Sequence, residues 1–153
     1  MSESAQPCLF TEGQVTLPEG YQDRTVNVFT PPGADAPALN ISRDTLKPGE
    51  TLTTYIDRQM SLMAKHLKGW KTGERTEAVL GDNLVTGEII HASYLRDGKR
   101  TFQQQAVFNP SADHILVFTM SVVRALNDAE RALLLAVLKS FVFHALHGLL
   151  LCL

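Results

Sequence analysis

An α+β fold is what the sequence predicts: a largely antiparallel sheet of about seven strands with two helices. Three observations carry that expectation. Short stretches of period-two apolar alternation, separated by turns rich in Gly, Pro and Asn, recur along the chain. Two segments instead repeat every three to four residues, one after Pro48-Gly49 and one after Asn127. Four of the strand segments follow one another with connections far too short for a helical crossover, so neighbours must run antiparallel.

Taken in order, Cys8-Leu9-Phe10 leads into Val15-Thr16-Leu17 as a first strand, closed by Pro18-Glu19-Gly20. Thr25-Val26-Asn27-Val28-Phe29-Thr30 is a second, rich in β-branched residues and stopped by Pro31-Pro32-Gly33. Ala38 to Arg43 is a third. Leu39 and Ile41 fall on one face of it, and Ala38, Asn40 and Ser42 on the other. Leu52, Ile56, Met60, Met63 and Leu67 then trace one face of a helix, which Gly69 is placed to end. Trp70 to Val79 returns to strand character. Gly81-Asp82-Asn83 turns the chain into Leu84–Tyr94, and Asp97-Gly98 is a tight-hairpin signal leading to Thr101–Phe108. Asn109-Pro110 turns it once more into Ile115–Val123. The last element is a helix with Asn127 as N-cap and Glu130 completing a capping box. Leu133 or Leu134, Val137 or Leu138, and Phe141 supply its apolar stripe.

With 153 residues, one domain is expected, at roughly 150 residues per domain. It spans residues 8–143, followed by an apolar tail over 144–153. Hydrophobic residues are 44% and charged residues 20% of the chain, a globular composition. The net charge of −2 comes from 14 basic and 16 acidic residues with no basic run, which argues against nucleic acid as a partner. The start, MSESAQPCLF, lacks the basic and long apolar regions of a secretory signal. Cys8 and Cys152 lie at opposite ends, so a cytoplasmic protein with free thiols is expected. The apolar stretch from Ala132 to Leu153, 22 residues long, is broken chiefly by Lys139, His144 and His147. About 20 apolar residues span a bilayer, but Lys139 near the centre would cost roughly 2.5–3.5 kcal/mol. The first half is also explained by packing on the sheet, so no stable membrane insertion is expected.

Catalytic signatures are missing: the chain has no GxSxG, GxxxxGK[ST], HExxH or post-strand GxGxxG. His66, His91, His114, His144 and His147 are dispersed, and the two that could share a helix face have no Cys or carboxylate nearby. Glu74, Glu77 and Glu88 read as solvated strand-face charges rather than an acid/base pair. The expectation is a non-enzymatic protein with no catalytic residues, no metal and no cofactor.

The sheet carries apolar residues on two faces. Val26 and Val28 share one face and Phe29 takes the other, and two helices could fully cover only one side. A second face with Val26, Val28, Asn40 and Ser42 is then covered by a dimer partner or is a binding groove. Otherwise these valines are ordinary core beneath a helix. Gln103 and Gln105 share a strand face and offer either a row of paired donors and acceptors or a solvent-facing row. Gln59 stands beside the apolar stripe at Met60.

Several segments together carry a resemblance: VNVFTPPG, then ALNISRD, YIDRQM, LKGWK, the Tyr94 to Gly98 hairpin and QQQAVF. In order and spacing, from Cys8 to Phe143, the chain resembles the DcrB-like domain. More narrowly, it resembles the Eag-type chaperones (adaptors) of type VI secretion effectors. The resemblance implies a PsbP-like α/β sandwich and a cytoplasmic homodimer. It also implies a client: the N-terminal transmembrane segments of an effector of Rhs or PAAR type, shielded while the effector is loaded onto the secretion spike. Contact with the spike would be indirect. By position, Val26 and Val28 match the family's apolar groove strand. Ser42 in ISRD, Gln59 in DRQ and Gln105 in QAVF match its polar contacts, with Asn40 on the face of Ser42 and Gln103 on that of Gln105. The usual ending of the family is short and polar, so the apolar tail departs from it. The other reading is a DcrB- or PsbP-like structural or complex-assembly subunit without a membrane-helix client.

Overall fold

The computed structural model describes residues 6–33 and 35–144. The elements run β1 (Gln6–Phe10), β2 (Gly13–Leu17), β3 (Asn27–Phe29), β4 (Ala38–Thr45), α1 (Leu52–His66), β5 (Lys71–Leu80), β6 (Val85–Arg96), β7 (Lys99–Ser111), β8 (His114–Val122) and α2 (Asp128–Lys139). Six strands form one antiparallel sheet in the order β3-β4-β8-β7-β6-β5, while β1 and β2, among the described residues, pair only with each other. The α+β class and both helices are as expected, but among the described residues the strands number eight, in sheets of six and two. The reading of one strand from Cys8 to Leu17 is corrected: Thr11-Glu12 is a turn, and Phe10 opposes Gly13 in a small hairpin.

Local chemistry explains the boundaries. Thr51 caps α1, its hydroxyl accepting from the Thr54 N–H while the Thr54 hydroxyl answers to the Thr51 N–H. Asn127 and Glu130 make the same reciprocal cap on α2, as the sequence predicts. The β6–β7 hairpin turns at Asp97 and Gly98, both at positive φ (53° and 78°), the conformation an Asp-Gly pair adopts most readily. At the next hairpin the expectation fails. Asn109 and Pro110 lie inside β7, in an irregularity between Phe108 and Ser111, and the chain reverses at Ala112-Asp113. Proline is tolerated there because the ladder is already interrupted.

The second correction concerns the layers. The two helices lie on opposite faces of the sheet, so among the described residues neither face is wholly covered and neither is wholly bare. Leu134 and Leu138 of α2 are buried with Leu80, Ile89, Ala106, Phe108, Leu116, Phe118 and Met120. Phe108 and Phe118 meet edge to face there, with centroids 6.0 Å apart. On the other face Tyr55 and Ile56 of α1 pack with Ile90, Val107, Ile115 and Val117. Ile89 and Ile90, like Val107 and Phe108, are thus buried on opposite sides of one sheet. Each fully buried side chain of this size contributes about 1.5–3 kcal/mol. Polar clamps add direction to the α1 seat. The Tyr55 hydroxyl donates to Asp44 Oδ2 at 2.7 Å, and Arg75 bridges Asp57 of α1 to Glu88 of β6. Glu88 is therefore an ion-pair partner rather than a solvated charge. Among the described residues no helix is long and apolar enough to cross a membrane. The expectation for the tail beyond residue 144 lies outside the described residues.

Candidate functional site

Strand register converts the sequence into rows. Directly opposed residues of neighbouring antiparallel strands point to the same face. On the α1 face, Val28 opposes Asn40, Asn40 opposes Thr119, Thr119 opposes Gln105, and Gln105 opposes Ile90. A parallel row one step along runs Ser42, Val117, Val107, Glu88. On the other side lies Ala38, Ser121, Gln103, Ala92. Helix α1 covers the apolar β6–β7–β8 end of these rows. Among the described residues the face is open toward β3, so a strip with Val28, Asn40 and Ser42 runs beside the helix.

The predicted residues fall as follows. Val26 immediately precedes β3, whose pairing with β4 begins at Asn27 opposite Ile41. Val26 is 52% exposed and Val28 60%, so neither valine lies in the core beneath a helix. Leu39 and Ile41 face α2, which places Asn40 and Ser42 on the α1 side as the alternation predicts. Gln59 projects from α1 into a cavity of about 180 Å³, shared with Ser42, Met63, Gln105 and Val117. The Gln105 amide donates to Thr119 Oγ1 at 3.1 Å. Among the described residues, the side chains of Asn40, Ser42 and Gln59 have no hydrogen-bond partner. Val28, Asn40, Ser42, Gln59 and Gln105 are thus brought to one half-open surface, with Val26 at its rim.

Gln103 shares the face but sits one row away and is buried (8% exposed), and Gln104 is more buried still, so the solvent-facing reading of this strand is set aside. Sequence reasoning missed Thr119, which completes the central row. The signal was present: in HILVFTMSV, period two from Ile115 and Val117 puts a polar Thr on the face they share. It also missed Tyr55, whose buried ring helps seat the helix that walls the strip. Burial and the Asp44 carboxylate beside it push the Tyr55 hydroxyl well above its ordinary pKa, so it stays a neutral donor.

Chemically the strip suits an apolar surface that carries hydrogen-bonding groups. It offers valine methyls at the rim, methionine along the helix, and amide and hydroxyl groups across the floor. Among the described residues no cluster of His, Cys, Asp or Glu could hold a metal ion.

Comparison with known proteins locates this architecture. A crystal structure of a Pseudomonas aeruginosa protein of unknown function, PA94, described as a putative regulator, superposes with a TM-score of 0.75. The two are 19% identical, over 92% of this chain and 98% of that one. LpqN of Mycobacterium tuberculosis, involved in cell envelope biogenesis, matches with a TM-score of 0.46 and 16% identity, over 90% of this chain and 75% of that one. None of the curated proteins matches in sequence. The DcrB family matches residues 12–140, and the chain belongs to that family.

Proposed function

We propose that the protein is a non-enzymatic cytoplasmic chaperone or adaptor, acting as a homodimer. Its α1-side strip shields the N-terminal transmembrane helices of a type VI secretion effector of Rhs or PAAR type. One observation carries the reading: the half-open strip in which exposed valines border unpartnered amide and hydroxyl groups. A membrane-spanning helix held in water exposes about 20 largely apolar residues. Covering it takes apolar surface. Small and amide side chains add hydrogen bonds across closely packed helices, as they do between helices in a bilayer. Asn40, Ser42, Gln59 and Gln105 are of that kind, and Val26 and Val28 supply the apolar contact. The matching positions in the resemblance described above give the client its identity.

The test is recovery of the tagged protein from cells that express the secretion system, with mass spectrometry of what co-elutes. The reading expects one large partner with N-terminal apolar helices, in fixed ratio, lost on Val26→Gln/Val28→Gln. A homodimer that brings no such partner favours a structural or assembly subunit instead.

A further inference from the structure

The opposite face has a second cavity, at the point where β5 departs from its ladder. Thr72 opposes Ala92 and Arg75 opposes Ile90, so Gly73 and Glu74 together oppose the single residue His91. A bulge of this kind leaves its extra residue unpaired, interrupts the ladder and bends the strand. Here it opens a cavity of about 210 Å³, lined by Lys71, His91, Phe102, Leu126 and Arg131. Arg131 reaches it from the first turns of α2 and Lys71 from the start of β5.

We propose that this cavity binds a carboxylate borne on a small apolar body, either a free short-chain acid or the C-terminal end of a peptide. Three features of the structure converge on that chemistry. Lys71 and Arg131 have no ion-pair partner among the described residues, and both border the cavity. Phe102 and Leu126 give it an apolar wall. His91 makes no hydrogen bond there, and its register partner on the same face, Gln104, holds the one buried side-chain acceptor without a partner among the described residues, Oε1. Burial, and then the Arg131 charge, hold the His91 imidazole below its ordinary pKa, with Glu74 acting weakly the other way. A bound carboxylate offsets the Arg131 charge and favours imidazolium. The charged ring has two N–H donors, one for the ligand and one for a neighbouring acceptor such as Gln104 Oε1. Binding and proton uptake are therefore coupled at one histidine, on the face away from the α1 strip.

The measurement is an NMR titration of the His91 ring in the full chain. The probes are butyrate, N-acetyl-Leu-Ala and its C-terminal amide, each up to about 20 mM, the range in which a weak millimolar site saturates. Both carboxylates should shift His91 saturably and raise its titration midpoint, and the amide should do neither. Arg131→Gln and Lys71→Gln should each weaken binding by about fivefold or more, as loss of a charge-assisted contact does. Tighter binding of the peptide than of butyrate assigns the site to a chain terminus, and the reverse order to a free acid. An equal response to the amide, no saturable shift, or binding unchanged in Arg131→Gln with the rest of the spectrum intact overturns the proposal.

Discussion

Replacing Val26 and Val28 together by Gln probes the α1-side strip with little risk to the fold. The two valines are 52% and 60% exposed, so neither supports the core. Such surface changes usually alter stability by no more than about 0.5 kcal/mol. Full burial of a valine is worth about 1.5–3 kcal/mol, and roughly half of each side chain is still available to a ligand. On the proposed reading the pair would therefore contribute about 1.7–3.4 kcal/mol to covering an apolar helix, or about twentyfold to three-hundredfold in affinity at 1.4 kcal/mol per decade. The assay is co-expression with a reporter fused behind an apolar helix of about 20 residues, scoring the soluble, co-purifying fraction and then the dissociation constant. Leu133→Gln/Leu135→Gln is the matched control. Those leucines are 50% and 52% exposed but belong to α2, on the other side of the sheet. Equal loss in both variants, or no loss in the valine pair with its melting curve intact, refutes the assignment of the strip.

Four further outcomes test the packing and the electrostatics. Leu134→Ala removes a side chain with no exposure, the anchor of α2, and should lower unfolding free energy by about 2–5 kcal/mol in urea melts. Gly87→Ala would set a Cβ 2.1 Å from the Val107 carbonyl oxygen and 2.6 Å from the Phe108 ring. Backbone cannot yield there, so a loss of at least about 1–3 kcal/mol is expected by calorimetry, and a neutral result contradicts the close approach of β6 to β7. Tyr55→Phe leaves Asp44 without its hydroxyl donor and should cost about 1–2 kcal/mol, whereas an unchanged melt means water serves Asp44 equally well. Glu50 and Glu130 are held at a pKa of about 2, chiefly by hydrogen bonds from Arg58 and Arg124 and then by the backbone N–H groups of Lys47 and Asn127. Unfolded, they titrate near about 4.3. Because the folded pKa is the lower one, their contribution is complete above the unfolded value and fades as pH falls from there through about 2. Denaturation series between neutral pH and pH 2 should show this loss, reduced in Glu50→Gln and Glu130→Gln.

Much of this architecture is legible in residue order because local rules decide it. Period two in ALNISR fixes which side of β4 is apolar, Asp97-Gly98 fixes a turn, and the Asn127–Glu130 capping box fixes one helix start, whereas the Thr51–Thr54 cap of α1 emerges only in the structure. The side of the sheet each helix occupies is a different kind of fact. An amphipathic stripe such as Leu52, Ile56, Met60 requires burial but does not say against which face. A clue existed in the central strands. Ile89-Ile90, Ala106-Val107-Phe108 and Ile115 to Phe118 are unbroken apolar runs, the pattern of strands covered on both sides. The irregularity in β7 hid for a similar reason: Asn109-Pro110 has turn chemistry, and only the pairing of Ser111 with His114 moves the reversal onward. In the candidate strip, the residue types were readable, while Thr119 and the cavity under Gln59 depend on register between distant strands.

That register has a consequence for the life of the chain on the ribosome. The floor of the strip joins two ends of the sequence, with Asn40 and Ser42 coming early, Gln105, Val117 and Thr119 late. β5 to β8 can zip as successive hairpins, but β4 has only β8 to dock against on its inner edge. Closing that long loop is the slow, non-local step of such a topology. The early strands must therefore wait, unpaired on that side, until β8 has left the exit tunnel. A nascent chain cut short before β8 lacks Val117 and Thr119 and has only half of that floor, so the partner recognition proposed above would report that synthesis has reached the last strand.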